Sequence, residues 1–529
     1  MKKVYPEILP EGSFAMDGLW RRQDLLLLVS GSLPCLRGVY SRALKLNKLH
    51  QFDYVALSAE DYILGDVEGK IKRAIRQVAL RKGVRIIVIY LSCLDILIRI
   101  DFADIERQMS KETGCIVKCF FRGPLGKTDY GNHLSSENLL SIFPPEETKI
   151  EKVINIPPPL SDIAGISDCF QIKGQVNSLI TPAGCKNCLR DLDMTFEQKN
   201  VYYTEIQDKD FIFGFEDTVE NQVNDLHKKK LCNRVVLINS SVPAFMGFDE
   251  QNVIKDRKNK FFSTDGFHDA VYGVYMSQET VVKENDFFCK KNDKYVEILG
   301  YSRLLCGSKK QYESCISFIK QLGYEIHFLG SERESKNQPS LSWVLSSAGI
   351  GAARWLRDAF GVPLLLSLPI GRKAMESWKK TVKVLLKIDR DSKVPNVKKC
   401  SRRKEKVLLI GDPIQTMGIS NYLWEKGFEN VILAAYAWTK ETTRIYCSIC
   451  NMKKIHVFST KEELLALWEK ADLVVGDPVL KESMPFKPMI SYPWGFFSGR
   501  NGLSQGDGVL GDNLKKQLQE IDIILNSEK

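Results

Sequence analysis

Short apolar runs alternate with stretches of helical spacing along almost the whole chain. Residues 25–29 and 86–91 read as buried strands, and residues 115–121 as a third. Between them, residues 67–80 place Val67, Ile71, Ala74, Ile75 and Val78 on one helix face, and residues 101–113 read as the next helix. The rhythm returns downstream. Residues 296–300 and 342–345 are expected strands, with helices over 311–322 and 352–360. Residues 407–413 open a further unit that includes strands at 431–434 and 472–477. This alternation predicts an α/β protein with several Rossmann-like parallel-sheet domains, each wrapped by helices. In such sheets, ligands collect beyond the carboxyl ends of the strands.

Two stretches of that pattern repeat one another. Cys35 closes LLLLVSGSLPC, and Cys185 closes NSLITPAGC 150 residues later. EDYILG, residues 60–65, recurs as KDFIFG, residues 209–214, at an offset of 149. RIIVIYLSC, residues 85–93, recurs as RVVLINSSV, residues 234–242, at the same offset. The reading is a duplicated N-terminal unit. Its first, truncated copy is expected over residues 1–150 and the second over 151–290, with Pro157, Pro158 and Pro159 near the junction. Two more Rossmann-like domains are expected over 291–395 and 396–529.

Composition narrows the class. A chain of 529 residues, 44% apolar and 26% charged, is a globular protein with room for three or four domains. The formal charge of +10 is spread along the length, and its densest run, VKKCSRRKEK, lacks interleaved aromatics. That run reads as a solvated linker, so no nucleic-acid partner is expected. The longest apolar run, residues 86–100, is broken by Ser92, Cys93, Asp95 and Arg99, so no membrane span is expected. MKKVYPEILPEG carries no apolar leader core, and the expected location is cytoplasmic. In that setting 14 cysteines are thiols or metal ligands rather than disulfides. No GxGxxG follows a strand and no GxxxxGK[ST] occurs, so no nucleotide site of its own is expected.

Cys35, Cys93 and Cys185 each follow an apolar strand and are expected in short loops. Thiolates bind soft metals, and four of them form the usual iron–sulfur ligand set. Neither copy has four, so a full set needs both; Cys188, in Cys185-Lys186-Asn187-Cys188, is a further candidate. The alternative is that each is a small buried apolar side chain. Cys447 and Cys450 form a CxxC without a second pair at zinc spacing. His268, in DGFHD, is a candidate proton donor or axial ligand, against the plainer role of a hydrogen-bonded structural histidine.

On these segments the chain resembles the nitrogenase component 1-type oxidoreductases. That family comprises the nitrogenase large subunits, related cofactor-assembly scaffolds, and the dark-operative protochlorophyllide and chlorin reductases. Its HGPxGC loop resembles residues 30–35, SGSLPC, and 181–185, TPAGC. Its D-x-x-x-G helix start is matched by Asp61 to Gly65 and by Asp210 to Gly214. Its Cys-Pro loop is split here: Cys93 precedes Leu94 instead of proline, and Pro243 follows Val242 instead of cysteine. Cys119 to Gly123 and Ser263 to Gly273 resemble later segments of the family.

The resemblance implies a nitrogenase iron–molybdenum protein-like fold. It also implies an iron–sulfur cluster, of [4Fe-4S] type, held by Cys35, Cys93 and Cys185 with Cys188 as a further ligand. A separate ATP-dependent iron–sulfur reductase would be the electron donor. The substrate, small or tetrapyrrole-like, would lie in a cleft between the second, third and fourth units. A homo- or hetero-oligomer with another component 1-like subunit is also implied. The alternative is a non-catalytic scaffold for metallocluster or tetrapyrrole assembly. Departures from the family pattern argue against an eight-iron cluster with six thiolates, and no match to the ligands of the nitrogenase metal cofactor is evident.

Overall fold

The computed structural model describes residues 2–3, 16–121, 136–151, 155–170, 175–182, 201–207, 209–229, 232–254, 259–284, 294–330, 337–389, 402–450, 454–499, 510, 512–521 and 524. The chain divides into two compact units. Residues 1–163 and 174–267 form the first, and residues 164–173 and 268–529 the second.

The first unit contains two sheets and a two-residue strand, β1 (Lys2–Lys3). The first sheet is built from β2 (Leu25–Gly31), β3 (Phe52–Ala56), β4 (Ile86–Leu91) and β5 (Ile116–Phe121), all parallel, in the order β3-β2-β4-β5. β2 and β4 are buried along their whole length, as central strands covered by helices on both faces must be. The covering helices are α1 (Leu33–Lys45), α2 (Ala59–Leu64), α3 (Val67–Ala79), α4 (Cys93–Leu97) and α5 (Phe102–Thr113). On α3 the residues predicted from spacing, Val67, Ile71, Ile75 and Val78, are buried. α5 starts one residue later than expected. Asp101 caps it instead, accepting from the Asp104 backbone N–H at 3.0 Å.

After α6 (Ser136–Ser141) and α7 (Asp162–Cys169) comes the second sheet. It runs through β6 (Gln175–Pro182), β7 (Val201–Ile206), β8 (Arg234–Asn239) and β9 (Lys260–Phe262), in the order β7-β6-β8-β9. β1 joins its edge antiparallel to β7. Its connecting helices are α8 (Asp210–Phe213), α9 (Glu216–Lys228), α10 (Ser241–Phe245) and α11 (Glu250–Val253). The repeated stretches therefore fall on like elements: β2 and β6, α2 and α8, β4 and β8.

The strand ends of these two sheets meet inside the first unit. The Ser241 hydroxyl donates to Ser32 Oγ at 2.9 Å, and the Leu33 N–H donates to the Gly266 carbonyl at 2.9 Å. Val242 and Phe267 share one apolar cluster with Cys93 and Leu94. Gly266 sits at φ +70°, where a Cβ would strike Ser241 and Pro34, so the contact needs glycine.

The second unit holds the other two sheets. The third runs β11-β10-β12-β13, from β10 (Tyr295–Leu299), β11 (Glu325–Phe328), β12 (Leu341–Val344) and β13 (Leu364–Leu365). The fourth runs β16-β15-β14-β17-β18, from β14 (Arg403–Ile410), β15 (Phe428–Tyr436), β16 (Ile455–Phe458), β17 (Leu473–Gly476) and β18 (Met489–Ser491). All strands in both sheets pair parallel. β15 is longer than the expected 431–434, because it pairs with β14 from Phe428, across a register shift between Arg403 and Lys406, and with β16 as far as Tyr436. The expected helix over 311–322 is a 3-10 turn, Lys309–Tyr312, running into the α-helix Glu313–Gln321.

The ends of β10 and β12 are tied directly to the ends of β14 and β18. Gln415 Nε2 donates to the Leu305 carbonyl at 3.0 Å, and its side-chain oxygen accepts from the Tyr492 hydroxyl. The Asp412 carboxylate accepts from the backbone N–H and the hydroxyl of Ser347 while capping the helix Pro413–Glu425. A Cβ on Gly495 would strike the Leu304 backbone. These contacts tie one part of the seam between the third and fourth sheets; elsewhere along it Gln311, Ile370, Gly371, Tyr422 and Lys515 line a cavity of about 260 Å³.

Burial pushes the carboxyls of Asp168 and Asp412 up to about 6. An acid whose folded pKa is raised keeps its proton when the unfolded chain has lost it. The stabilisation is complete below the ordinary carboxylate range, near pH 4, and is lost as pH rises through about 6. The second unit should therefore resist urea less at pH 7.5 than at pH 5, by about 1.4 kcal/mol per group. In Asp412→Asn, which stays neutral, that part of the slope should vanish when unfolding is followed across this range.

Candidate functional site

In the first sheet the chain leaves β2 toward β3 on one side and β4 toward β5 on the other. The crevice at this reversal, beyond the carboxyl ends of β2 and β4, is where open α/β sheets hold ligands. Cys35 and Cys93 stand on either side of it.

Each thiol sits on the first turn of a helix rather than in the loop expected from the sequence. After β2, Ser32 is extended and Pro34 occupies the opening of α1, where a missing N–H costs nothing. Cys35 is the third residue of that helix and is half-buried, and the Ser32 hydroxyl donates to its Sγ at 3.9 Å. After β4, the Ser92 and Asp95 side chains form a capping box, and Cys93 is the first residue of α4. Gly31, at φ +131°, brings the two turns together. A Cβ there would lie 2.8 Å from Ser92 Cβ and 3.5 Å from Cys35 Cβ.

Cys93 is buried in the apolar cluster that also contains Leu91, Leu94, Val242 and Phe267. Val242 occupies the position that matches Cys93 in the repeat, so the second copy supplies a methyl contact there instead of a sulfur. Cys185 and Cys188 lie outside the described residues. His268 belongs to the second unit, where it stacks on Tyr272 at 4.3 Å with Nε2 3.7 Å from a Glu441 carboxylate oxygen.

Several of the other described thiols are held protonated by burial. Burial pushes Cys169 and Cys315 up to about 12 and raises Cys306 further. Cys119 is raised well above the ordinary thiol range by burial and by Glu106. Cys169 instead accepts from Gln278 Nε2 at 3.3 Å.

Two features of this site were missed from the sequence. One is Asp95, fully buried, which accepts from Ser30 Oγ, the Ser92 N–H and the Tyr62 hydroxyl. The Ser92-x-x-Asp95 spacing was its available signal. The other is an exposed apolar edge. Ile63 and Leu64 on α2 are 74% and 80% exposed, and their repeat partners Ile212 and Phe213 on α8 are 77% and 86% exposed. Their inner neighbours are anchored: Tyr62 and Phe211 both pack on the apolar cluster around Cys93. Tyr62 also meets Phe245, itself partly exposed on α10, at a ring distance of 5.9 Å. Single exposed apolar residues are ordinary. Pairs at the same position of both copies, flanking one cluster, mark an interaction surface.

Exposure ranks the thiols. In the iron-free native chain, Cys35 and exposed Cys447 should be alkylated by iodoacetamide well before Cys93, Cys119, Cys169, Cys306 and Cys315. Peptide mass spectrometry over a time course reads this order directly.

Comparison with known proteins agrees with this architecture. The family model described as nitrogenase component 1 type oxidoreductase matches residues 163–483. Nitrogenase Cp1 solved at pH 6.5 is 12% identical, with 73% of this chain covering 96% of that one at a TM-score of 0.49. Nitrogenase Cp1 solved at pH 5 is 13% identical, with 73% of this chain covering 92% of that one at a TM-score of 0.47. No curated protein matches the chain by sequence.

Proposed function

The chain belongs to the nitrogenase component 1 type oxidoreductase family, and we propose that it is a redox subunit of that kind. In this reading it holds an iron–sulfur cluster in the first unit, takes electrons from an ATP-dependent iron–sulfur reductase and passes them to a small or tetrapyrrole-like substrate. The observation that carries the reading is the pair of thiols, Cys35 and Cys93, flanking the strand-order reversal of the first sheet.

The donor set suits a soft metal. Two sulfurs stand on adjacent helix starts, and Cys185 of the second copy would complete three. A [4Fe-4S] cluster fits this set; an eight-iron cluster does not, because Val242 fills the matching position with hydrocarbon. Such a cluster would supply one-electron acceptance and release. The protein's own part is to fix the two turns through Gly31, to shield Cys93 with Leu94, Val242 and Phe267, and to leave Cys35 open.

The exposed edge of Ile63, Leu64, Ile212 and Phe213 suits the docking of the reductase. Its apolar anchors pack on the same cluster as Cys93, so a partner bound there would lie close to the thiols. The lack of any P-loop in this chain fits a division of labour in which the partner binds ATP.

A second reading is a non-catalytic scaffold or a partner subunit without a cluster. It is favoured by Val242, which puts hydrocarbon where the first copy has the Cys93 thiol.

Iron and acid-labile sulfide decide between them. Anaerobically reconstituted protein should carry about four irons per chain, with an EPR signal that responds to dithionite. Cys35→Ala and Cys93→Ala should each remove most of the iron; unchanged iron in both would end the ligand assignment, and none in the wild type would favour the scaffold. Leu64→Asp and Phe213→Asp should weaken reductase binding about tenfold or more while leaving iron content unchanged, as read by co-sedimentation.

A further inference from the structure

The repeat lets the two halves of the first unit be compared position by position, and at one buried acid they differ. Asp95 stands on α4; Ala244 stands at the matching position of α10. Asp95 is completely buried. Its Oδ2 accepts from Ser30 Oγ at 2.5 Å and from the Ser92 N–H at 2.7 Å. Its Oδ1 accepts from the Tyr62 hydroxyl at 2.8 Å. One oxygen therefore joins the end of β2 to the end of β4, and the other joins both to α2.

The joined residues flank the thiols. Ser30 leads through Gly31 into the Cys35 turn, and Ser92 immediately precedes Cys93. At the same offset the second copy has Ser241 for Ser92 and Phe211 for Tyr62. Ser241 turns to Ser32 Oγ instead, at 2.9 Å, and Phe211 has no hydroxyl to offer. The clamp is therefore a feature of the first copy and not a general property of these turns.

We infer that Asp95 is a positioning residue whose Oδ2 clamps the two thiol-bearing turns together and so fixes Cys35 relative to Cys93. The inference rests on the cluster reading above for its purpose, but the clamp acts on the protein with or without metal. Asparagine at this position can keep the clamp, its oxygen accepting from Ser30 and Ser92 and its NH2 donating to the Tyr62 hydroxyl. Ser30→Ala removes the arm that reaches the end of β2 and leaves the acid in place. Tyr62→Phe, in contrast, removes only the link at Oδ1 and leaves the clamp.

The test compares wild type, Ser30→Ala, Asp95→Ala and Tyr62→Phe. In iron-free protein, the iodoacetamide rate at Cys93 should rise about tenfold in Ser30→Ala and stay near wild type in Tyr62→Phe. In reconstituted protein, Ser30→Ala should keep its iron while its EPR line shape and midpoint potential shift. Should Asp95→Ala fail to fold, the other two variants still decide. A lowered melting temperature with unchanged Cys93 alkylation and unchanged EPR would overturn the inference, because the acid would then be merely structural. Equal acceleration in Tyr62→Phe and Ser30→Ala would also overturn it, by removing the special part of Oδ2. If the wild type takes up no iron, the cluster reading fails on its own, and the alkylation rates still test the clamp.

Discussion

Every strand of a parallel sheet delivers the chain to the same edge, where the next helix begins with backbone N–H groups that have no partner in the helix. Here those groups are met by buried aspartates. Asp95 takes the Ser92 N–H, and Asp412 takes those of Ser347, Ile414 and Gln415. Asp477 takes those of Val479, Trp494 and Ser498, and Asp168 that of Leu304. Asp162 holds the Asp265 and Gly266 N–H groups. Amides and hydroxyls donate to these carboxylates, so each turn is fixed by direction as well as by charge. The placement of the thiols, the ties between the third and fourth sheets and the meeting of the two sheets in the first unit all depend on these turns.

Much of the fold was legible because parallel sheets leave strong marks. β2 and β4 are unbroken apolar runs, and α3 shows its buried face at regular spacing. Cys35 and Cys93 were found because strand ends can be read from where those runs stop. Their exact setting was not legible, since a helix that starts at Leu33 depends on Pro34 and an extended Ser32, which also suit a loop. Asp95 was passed over as a polar interruption in an apolar stretch. Its role depends on Ser30 and Tyr62, distant in sequence and adjacent only after folding. The seam between the third and fourth sheets depends in the same way on Gln415 and Tyr492, which no local pattern connects.

The two copies have diverged unevenly. The first keeps a thiol at Cys93 and an acid at Asp95; the second has Val242 and Ala244 at the matching places. Both places in the second half hold hydrocarbon, and Val242 shares one apolar cluster with Cys93. The apolar edge, by contrast, is retained in both, at Ile63 and Leu64 and at Ile212 and Phe213.

Because β2, β4, β6 and β8 converge within a single unit of one polypeptide, the two faces of the site are held at a high effective concentration by the chain itself. A site divided between separate subunits would come apart on dilution; this one has no such equilibrium to maintain. The covalent link also frees each half from having to complement an identical copy of itself. A substitution on one side needs to be accommodated by only one opposing surface, which permits the lopsided distribution of sulfur and acid seen between Cys93 and Val242.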